Sequence, residues 1–299
     1  MAISRKMTSV FNKVAGCIVG GAIGDCLGAP FEGRPVDGPI PIPPVATTTD
    51  DTALTLATCM AIMDNGRPDP AAIATTLSEW FTQGRVPRPG SSTLKALRDL
   101  SQGCHWGLSG ASGEMSAGNG AAMRIAPLAF CIDPSMPEGR NLVYEVASIT
   151  HRNDEAASAA LAIALAIHAP DFNFIPLILD ALPDSITRDR LWKIQSGKLS
   201  DITDFAAEYG AGGFAAASIP LALFAASKSQ HEEIGFYESI YSVIRCGGDS
   251  DTNCSLTGQI IGSKIGLSEI PDNLKSLRFT QEPVADMAAS FARWIEKNI

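Results

Sequence analysis

The sequence predicts an all-α protein that folds as one compact bundle of many helices. Apolar residues recur with the helical period through most of the chain, while patterns typical of strands are nearly absent. Alanine-rich runs such as 156–169 favour close packing between helices. Apolar residues make up 45% of the 299 positions and charged residues 18%, with no low-complexity tract. We therefore expect a single domain over residues 1–299.

Predicted helices occupy the segments in which apolar residues are spaced three and four apart between turn-forming residues. These segments are 8–28, 51–64, 70–83, 92–101, 121–131, 139–149, 153–168, 173–181, 187–194, 200–208, 213–227, 233–245, 251–266 and 284–298. The proline-rich stretch Pro35–Pro44 has neither helix nor strand pattern, and we expect an extended surface loop there. Loops 84–92 and 102–120 are rich in glycine and serine, and such loops can approach a ligand closely.

The N-terminal segment imitates a signal peptide, because Arg5, Lys6 and Lys13 precede the apolar run Val14–Ile23. Asp25 interrupts that run, and by our reading no window reaches the roughly 18 apolar residues that a membrane span needs. We expect a buried first helix and no membrane partner.

The net charge and the cysteine content indicate which binding partners and which cellular compartment to expect. A net charge of −9 makes nucleic acid a poor partner, because the average surface repels a polyanion. An anionic small-molecule ligand is still compatible with this net charge, since bound cations and helix N-termini reverse the electrostatic potential locally. Seven cysteines without a C-x-x-C spacing favour a reduced, cytoplasmic location.

Two short acidic elements, Thr49–Thr52 and Asp249–Thr252, each begin a predicted helix. Their four carboxylates and threonine hydroxyls would form a cage of oxygen ligands for hard divalent cations if the fold joined them. The proline-rich loop would return the chain to this site. Helix capping is the alternative, because Asp and Thr accept hydrogen bonds from first-turn N–H groups. One cap needs only one such residue, and paired carboxylates repel each other without a cation, so the repeated pattern favours a metal site.

A glycine-containing turn and a histidine could each serve either in ligand binding or in a purely structural role. Gly118-Asn119-Gly120 precedes the helix predicted near Ala121, where backbone N–H groups can cradle a phosphate. It is not a P-loop, because no Gly-Lys-Ser/Thr follows. His151 lies just before the helix predicted near Asn153, where it either contacts a substrate or serves only as a structural residue.

In chain order these motifs resemble the ADP-ribosylglycohydrolase family, over nearly the whole chain. The matching segments are Gly20–Glu32, Thr49–Thr52, Gly118–Gly120 with Met123, Arg124 and Pro127, Thr150-His151, Gly210–Phe214 and Gly247–Thr252. The resemblance implies an all-α orthogonal bundle with a binuclear Mg²⁺ or Mn²⁺ site between helix N-termini. It also implies hydrolysis of the bond between ADP-ribose and a modified acceptor such as an arginine or serine side chain.

The family motifs also imply roles for individual residues. The implied metal ligands are Thr49, Asp50, Asp51, Asp249, Asp251 and Thr252, the implied catalytic carboxylates are Glu32, Asp50 and Asp251, and the implied substrate-binding residues are Ser116, Gly118, Asn119, Gly120 and His151. Without the resemblance, Glu32 reads as an ordinary exposed loop residue. Asp25 is expected to cap or brace the first helix rather than bind metal.

Some positions depart from the family pattern and bear on substrate choice. Ser250 stands where many members have Thr, Ala121-Ala122 where many have Ser-Leu, and Cys246 is unusual before the glycine pair. No implied metal ligand is lost. Two alternatives therefore stay open: hydrolysis of a small N-riboside or ADP-ribose derivative at the same site, and metal-dependent ADP-ribose binding without catalysis.

Overall fold

The all-α prediction is confirmed by a computed structural model, which describes residues 9–34, 36, 38–231 and 235–299. The α-helices are α1 (Val10–Gly28), α2 (Asp50–Asn65), α3 (Pro70–Thr82), α4 (Ser91–Ser101), α5 (Trp106–Ser109), α6 (Pro137–Ser148), α7 (Asp154–His168), α8 (Ile175–Ala181), α9 (Ile186–Gln195), α10 (Ile202–Tyr209), α11 (Ala215–His231), α12 (Phe236–Arg245), α13 (Ser250–Ile265), α14 (Asp272–Lys275) and α15 (Val284–Asn298). Most of them begin and end within three residues of a predicted helix. The helices α5 and α14 have four residues each, too few to show a period.

The α-helix predicted over residues 121–131 is wrong. Two 3-10 helices, Asn119–Arg124 and Ala126–Phe130, occupy this segment. Pro127 accounts for the difference, because it has no N–H to donate to the preceding turn and its ring disfavours a continuous α-helix. Further 3-10 turns lie at Ala29–Phe31, Glu114–Ser116 and Leu267–Glu269.

Two small parallel strand pairs tie distant loops together, and neither was predicted. The strand β1 (Val45–Ala46) pairs with β4 (Arg278–Phe279), and β2 (Ala111–Ser112) pairs with β3 (His151–Arg152). Each strand has two residues, so no alternating pattern can develop in the sequence. The second pair fixes His151 beside the glycine-rich loop.

Several predicted features fall partly outside the described residues. These are Arg5 and Lys6, the first residue of the helix predicted over 8–28, the first two residues of the helix predicted over 233–245, and positions 35 and 37 of the proline-rich loop. The described part of that loop, residues 36 and 38–44, contains neither helix nor strand, as expected.

Helices α1 and α13 pack in backbone contact along a stripe of glycines. Residues four apart on a helix share one face, and α1 carries glycine at every fourth position from 16 to 28. A β-carbon on these glycines would lie 2.0–2.5 Å from a backbone oxygen of α13, with Gly16 opposite Gly262, Gly20 opposite Gly258, Gly24 opposite Cys254 and Gly28 opposite Ser250. The helices are therefore antiparallel, and the end of α1 lies against the start of α13.

Residues 10–31 are long and apolar enough to cross a membrane by length and composition, with a mean hydropathy of 1.5. Our argument from the sequence that no such window exists was therefore wrong. In the structure 83% of that window is buried inside the protein, where it packs against α13. The absence of a membrane partner stays a prediction.

The buried apolar side chains form one connected cluster that includes Val14 near one end of the chain and Ile295 near the other. All seven cysteines are free thiols. The single-domain organisation and the cytoplasmic location both stay predictions.

Candidate active site

The starts of α2 and α13 meet, and this brings the two acidic elements together. The Thr252 hydroxyl donates to Asp51 Oδ2 at 3.1 Å, and the Thr49 hydroxyl donates to the same oxygen at 3.1 Å. Both helices begin at this point, so the carboxylates of the two elements share one buried region.

Asp25 braces the start of α2 rather than its own helix. Its buried carboxylate accepts the backbone N–H of Thr49 at 2.9 Å, and the N–H and hydroxyl of Thr52 at 3.2 and 2.5 Å. Burial raises the pKa of Asp25 to about 6. Because these bonds occupy its oxygens, Asp25 orients the first acidic element, as a bracing role requires.

Glu32, Asp249 and Asp251 extend from the surface into the buried part of the cluster. Each offers a carboxylate oxygen, and these oxygens lie within 4.8 Å of one another. The Gly33 N–H donates to Gly248 O at 2.7 Å and so fastens the Glu32 segment beside Asp249. Glu32 is exposed, Asp249 is half-buried and Asp251 is buried.

The described chain provides no cationic side chain to compensate these buried carboxylates when they ionise. Burial, followed by repulsion from Asp25 and Asp251, raises the pKa of Asp50 to about 8. Burial also raises the pKa of Asp249 to about 7 and that of Asp51 well above its usual range. Among the described residues, no lysine or arginine forms an ion pair with any of these groups.

This donor set fits divalent cations. Asp51 Oδ1 is buried, and within the described part of the chain no hydrogen-bond donor reaches it. Hard oxygen ligands with unpaired charge are what Mg²⁺ and Mn²⁺ prefer. Capping accounts for Thr49, whose side chain accepts the Asp51 N–H, but Asp249 at the start of α13 makes no such capping bond. The acidic cluster is therefore more than a pair of helix caps.

The carboxylates lie in an open cavity of about 690 Å³, within the size range of small-molecule sites. Every predicted site residue except Ser116 lines this cavity. The Ser116 hydroxyl instead donates to Ser112 O at 3.0 Å, so this side chain supports the loop from behind. The cavity is also lined by residues that were not predicted individually, most of which lie in loops 84–92 and 102–120 or in the family-matching segments: Arg88, Gly90, Ser91, Ser92, Thr93, Glu114, Met115, Ala117, Met123, Gly213 and Phe214.

The start of α4 supplies a wall rich in hydrogen-bond donors. Its cap, Gly90, has no side chain, and among the described residues no protein acceptor takes the N–H groups of Ser91, Ser92 and Thr93. Thr93 in that turn is 2% exposed, lines the cavity and makes no side-chain hydrogen bond within the described chain. Arg88 adds a cation from a backbone with a φ of 45°. An uncapped helix start with hydroxyls and a cation suits an anion, and loop 84–92, which leads into the helix predicted over 92–101, was the signal available in the sequence.

The Gly118–Gly120 loop is held between two other segments. The Asn119 N–H donates to Gly213 O at 3.0 Å, and the Ala215 N–H donates to Ala117 O at 2.8 Å. On the other side, a β-carbon at position 120 would lie 2.8 Å from both His151 Cε1 and Thr93 Oγ1. Only glycine fits there, so the loop lies directly on His151.

Asn119 contacts the acidic cluster with its side chain. Its amide donates to Asp249 Oδ2 at 2.7 Å and to Ser218 Oγ at 2.9 Å. The residue was expected to bind substrate, and this contact shows that it also orients a predicted metal ligand. The substrate contact stays a prediction.

His151 is neutral and offers an N–H to the cavity. Burial, followed by the nearby Arg124 charge, lowers its pKa to about 3. The Thr150 hydroxyl accepts from Arg124 at 2.8 Å and lies 2.9 Å from His151 Nδ1. Among the described groups Nδ1 is the acceptor in reach of that hydroxyl, so the ring proton is assigned to Nε2. Nε2 lies 3.2 Å from the β-carbon position of Gly118, beneath the loop.

Comparison with known proteins identifies the family. Residues 6–298 match the family model described as ADP-ribosylglycohydrolase. The chain belongs to the ADP-ribosylglycohydrolase family. This membership confirms the resemblance seen in the motifs. It also shows that the protein is a hydrolase of glycosidic bonds.

Curated relatives cover most of the chain at modest identity. An "ADP-ribosylarginine hydrolase Tri1" of Pseudomonas putida is 25% identical over 283 residues, which are 87% of this chain and 72% of the relative. An "ADP-ribosylhydrolase ARH3" of Xenopus tropicalis is 24% identical and covers 90% of this chain and 91% of its own. A solved "ADP-ribosylglycohydrolase-related protein complex" aligns with a TM-score of 0.70 at 24% identity, over 95% of this chain and 98% of that chain. The last comparison shows that the fold is shared.

Proposed function

We propose that the protein hydrolyses the glycosidic bond between C1″ of ADP-ribose and a modified acceptor, such as an arginine or serine side chain. The observation that carries this proposal is the composition of one cavity, which combines an uncompensated carboxylate cluster with a donor-rich wall. Such a cavity suits a ligand that has both a sugar diol and an anionic group. The relatives named as ADP-ribosylarginine hydrolase and ADP-ribosylhydrolase support the same substrate class.

Two divalent cations, Mg²⁺ or Mn²⁺, complete the site in this proposal. They would be held by oxygens of both acidic elements: Thr49, Asp50, Asp51, Asp249, Asp251 and Thr252. When bound, such ions supply Lewis-acid binding of the ribose 2″- and 3″-hydroxyls and lower the pKa of water. The free Oδ1 of Asp51 and the raised carboxyl pKa values support this ligand set.

The other residues bind and orient the substrate. The first-turn N–H groups of α4, together with Arg88 and the Thr93 hydroxyl, donate hydrogen bonds to the pyrophosphate oxygens in this proposal. His151 donates its Nε2–H from beneath the Gly118–Gly120 loop to a phosphate or ribose oxygen. These contacts hold the glycosidic bond against the carboxylate cluster, which lowers the entropic cost of reaching the transition state.

Glu32 is the carboxylate best placed to move protons. It is the exposed member of the cluster, on the side that the acceptor must approach. In the reaction a water oxygen bonds to C1″ as the bond from C1″ to the acceptor atom breaks. Glu32 takes the proton from water and returns it to the departing acceptor. Asp50 and Asp251 are the other two candidates for this role.

Release of ADP-ribose tests the proposal. Peptides carrying ADP-ribosyl-arginine or ADP-ribosyl-serine are incubated with the protein in Mg²⁺, Mn²⁺ or EDTA, and free ADP-ribose is measured by chromatography. We expect release with the metals and none in EDTA. Asp251→Asn should abolish release with unchanged helical circular dichroism, while the exposed Asp64→Asn at the far end of α2 should keep it. No release from either peptide in any metal contradicts the proposal.

A parallel panel of small N-ribosides separates the acceptor classes. Turnover of these compounds without turnover of either peptide would assign a small-molecule substrate to the same site. Turnover of one peptide would assign the acceptor atom.

A further inference from the structure

The segment that carries Glu32 is fastened to α12 by two tyrosine hydroxyls. The Tyr237 hydroxyl donates to Ile40 O at 2.6 Å, and the Tyr241 hydroxyl donates to Gly38 O. Between the described residues, these are the hydrogen bonds that residues 36 and 38–44 make with the rest of the chain. The described residues 38–44 are therefore hydrogen-bonded to the rest of the described chain through α12.

The two tyrosines are preorganised for this task. They lie four residues apart, one turn of α12, and their rings stack with centroids 6.4 Å apart and an angle of 3° between the planes. The Arg245 guanidinium lies 5.8 Å from the Tyr241 ring centroid, at the end of the same helix. Stacked rings restrict each other's rotation, so both hydroxyls are presented to the loop together.

The same helix leads into the acidic cluster. It ends at Arg245, and the chain then turns through Gly247 and Gly248 into Asp249. The Gly248 carbonyl accepts the Gly33 N–H at 2.7 Å, directly after Glu32. The chain after Glu32 therefore contacts α12 at Gly38 and Ile40, and contacts the turn that follows α12 at Gly33.

We propose that Tyr237 and Tyr241 are positioning residues that hold Glu32 at Asp249 and Asp251. The catalytic consequence rests on the proposed function, in which Glu32 moves the proton. Without the hydroxyls the segment loses its two hydrogen bonds to α12 and keeps the Gly33 bond to Gly248, so a smaller fraction of molecules has Glu32 in place. Each lost hydroxyl should lower kcat by about 2- to 12-fold, the range expected for one hydrogen bond. The KM should change little, because neither tyrosine lines the cavity.

Hydrogen exchange tests the fastening without any need for turnover. Exchange is measured in metal-free and Mn²⁺-loaded full-length protein for the wild type, Tyr237→Phe, Tyr241→Phe and the double variant. We expect faster exchange confined to the amides of residues 32–34, 38, 40, 42, 45 and 46, with Gly33 as the reporter; residues 39, 41, 43 and 44 are prolines and have no amide N–H. Tyr144→Phe in α6 is the matched control, because no hydrogen bond of its hydroxyl occurs among the described residues. Unchanged exchange in the double variant, or faster exchange across the whole protein, overturns the proposal.

Kinetics with Glu32→Gln test the catalytic consequence. In a double-mutant cycle, the tyrosine variants should lower kcat in the wild-type background and have no further effect once Glu32 is replaced. Equal losses in both backgrounds would mean that the tyrosines act on stability rather than through Glu32, and would overturn the positioning role. If the wild type releases no ADP-ribose, the proposed function fails, whereas the exchange experiment still decides whether the tyrosines fasten this segment.

Discussion

The Thr252 hydroxyl donates to Asp51 Oδ2 across 3.1 Å, joining two residues that are 201 positions apart. One oxygen of Asp51 therefore accepts from both acidic elements, whereas the other is buried without a hydrogen-bond donor in the described chain. A carboxylate held by one oxygen presents the second in a fixed direction. This is the arrangement that a metal ligand needs.

Removing the Thr252 hydroxyl should weaken metal binding. Thr252→Val keeps the shape of the side chain but loses the bond to Asp51 and one proposed ligand oxygen. Hydrogen bonds to charged groups contribute about 1.5–3 kcal/mol, so we expect the Mn²⁺ Kd to rise at least about tenfold. Isothermal titration calorimetry measures the change. Thr252→Ser keeps the hydroxyl and should stay within about threefold of wild type; equal losses in both variants would refute this role.

Divalent cations should stabilise the folded protein. The carboxylates repel one another in metal-free protein, and an ion that binds only the folded state adds about 2.7 kcal/mol at a concentration of 100 Kd. For a chain of this size we expect Tm to rise by on the order of 5 °C in Mn²⁺ relative to EDTA. Asp51→Asn should lose most of this rise, and Asp64→Asn should retain it. Differential scanning calorimetry provides the measurement, and a metal-independent Tm in wild type would contradict the ligand set.

Asn119 should affect metal affinity as well as substrate binding. Its amide orients Asp249 at 2.7 Å, so Asn119→Ala frees that carboxylate, and Asn119→Asp places a further negative charge beside it. We expect both variants to weaken Mn²⁺ binding, with the larger loss for Asp. Calorimetric titration in the absence of substrate separates this effect from ligand contact. If both variants bind Mn²⁺ with wild-type affinity, this prediction is wrong, and substrate binding is the one role that stays predicted for Asn119.

The glycine stripe on α1 should be intolerant of substitution. In Gly24→Ala the new β-carbon would lie 2.0 Å from Cys254 O, so α1 and α13 must move apart. Overpacking typically costs about 1–3 kcal/mol, and a backbone contact leaves little room for relief, so we expect at least the upper part of that range. Urea denaturation measures the loss. Gly212→Ala, where no atom lies within 4 Å of the added carbon, is the control and should be nearly neutral.

Local features of the sequence predicted most of the fold and the residues of the acidic cluster. Helical periods, paired carboxylates and turn residues are readable within a few positions, so the starts of α2 and α13 were located from the sequence. Asp25 was expected near the site, yet its partners Thr49 and Thr52 belong to another helix, and only the fold shows which helix it braces.

Contacts between distant segments could not be predicted in the same way. The glycines of α1 are visible at every fourth position, but the sequence does not name α13 as the surface that needs them. Similarly, Tyr237 meets Ile40 across 197 positions, and no local pattern links an aromatic residue to a backbone carbonyl so far away. The α-helix expected over 121–131 was wrong for a local reason: the apolar residues have a helical period there, but Pro127 disfavours a continuous α-helix.

Lys264 should make stability depend on pH through a site far from the carboxylates. Its ammonium donates to Ile167 O at 2.9 Å and Ala169 O at 2.5 Å, at the end of α7. Burial, rather than the smaller effects of Cys17, Lys13 and Asp171, is the main cause that lowers its pKa from 10.5 to about 7.

The sign of the pH effect follows from proton uptake. Below pH 7 the folded and unfolded chains both hold this proton, whereas between about 7 and 10.5 the unfolded chain binds the proton that the folded chain has released. The free energy of unfolding contributed by Lys264 therefore rises with pH across that window. Urea denaturation at several pH values should show wild type gaining stability relative to Lys264→Met from pH 7 towards 9.5, with the exposed Lys297→Met as the matched surface control. Comparison between variants cancels the titration of the seven cysteines common to all three chains, apart from the coupling of Cys17 to Lys264. A difference from Lys264→Met that does not change with pH would show that the ammonium keeps its proton in the folded state, held by the two carbonyls at the end of α7.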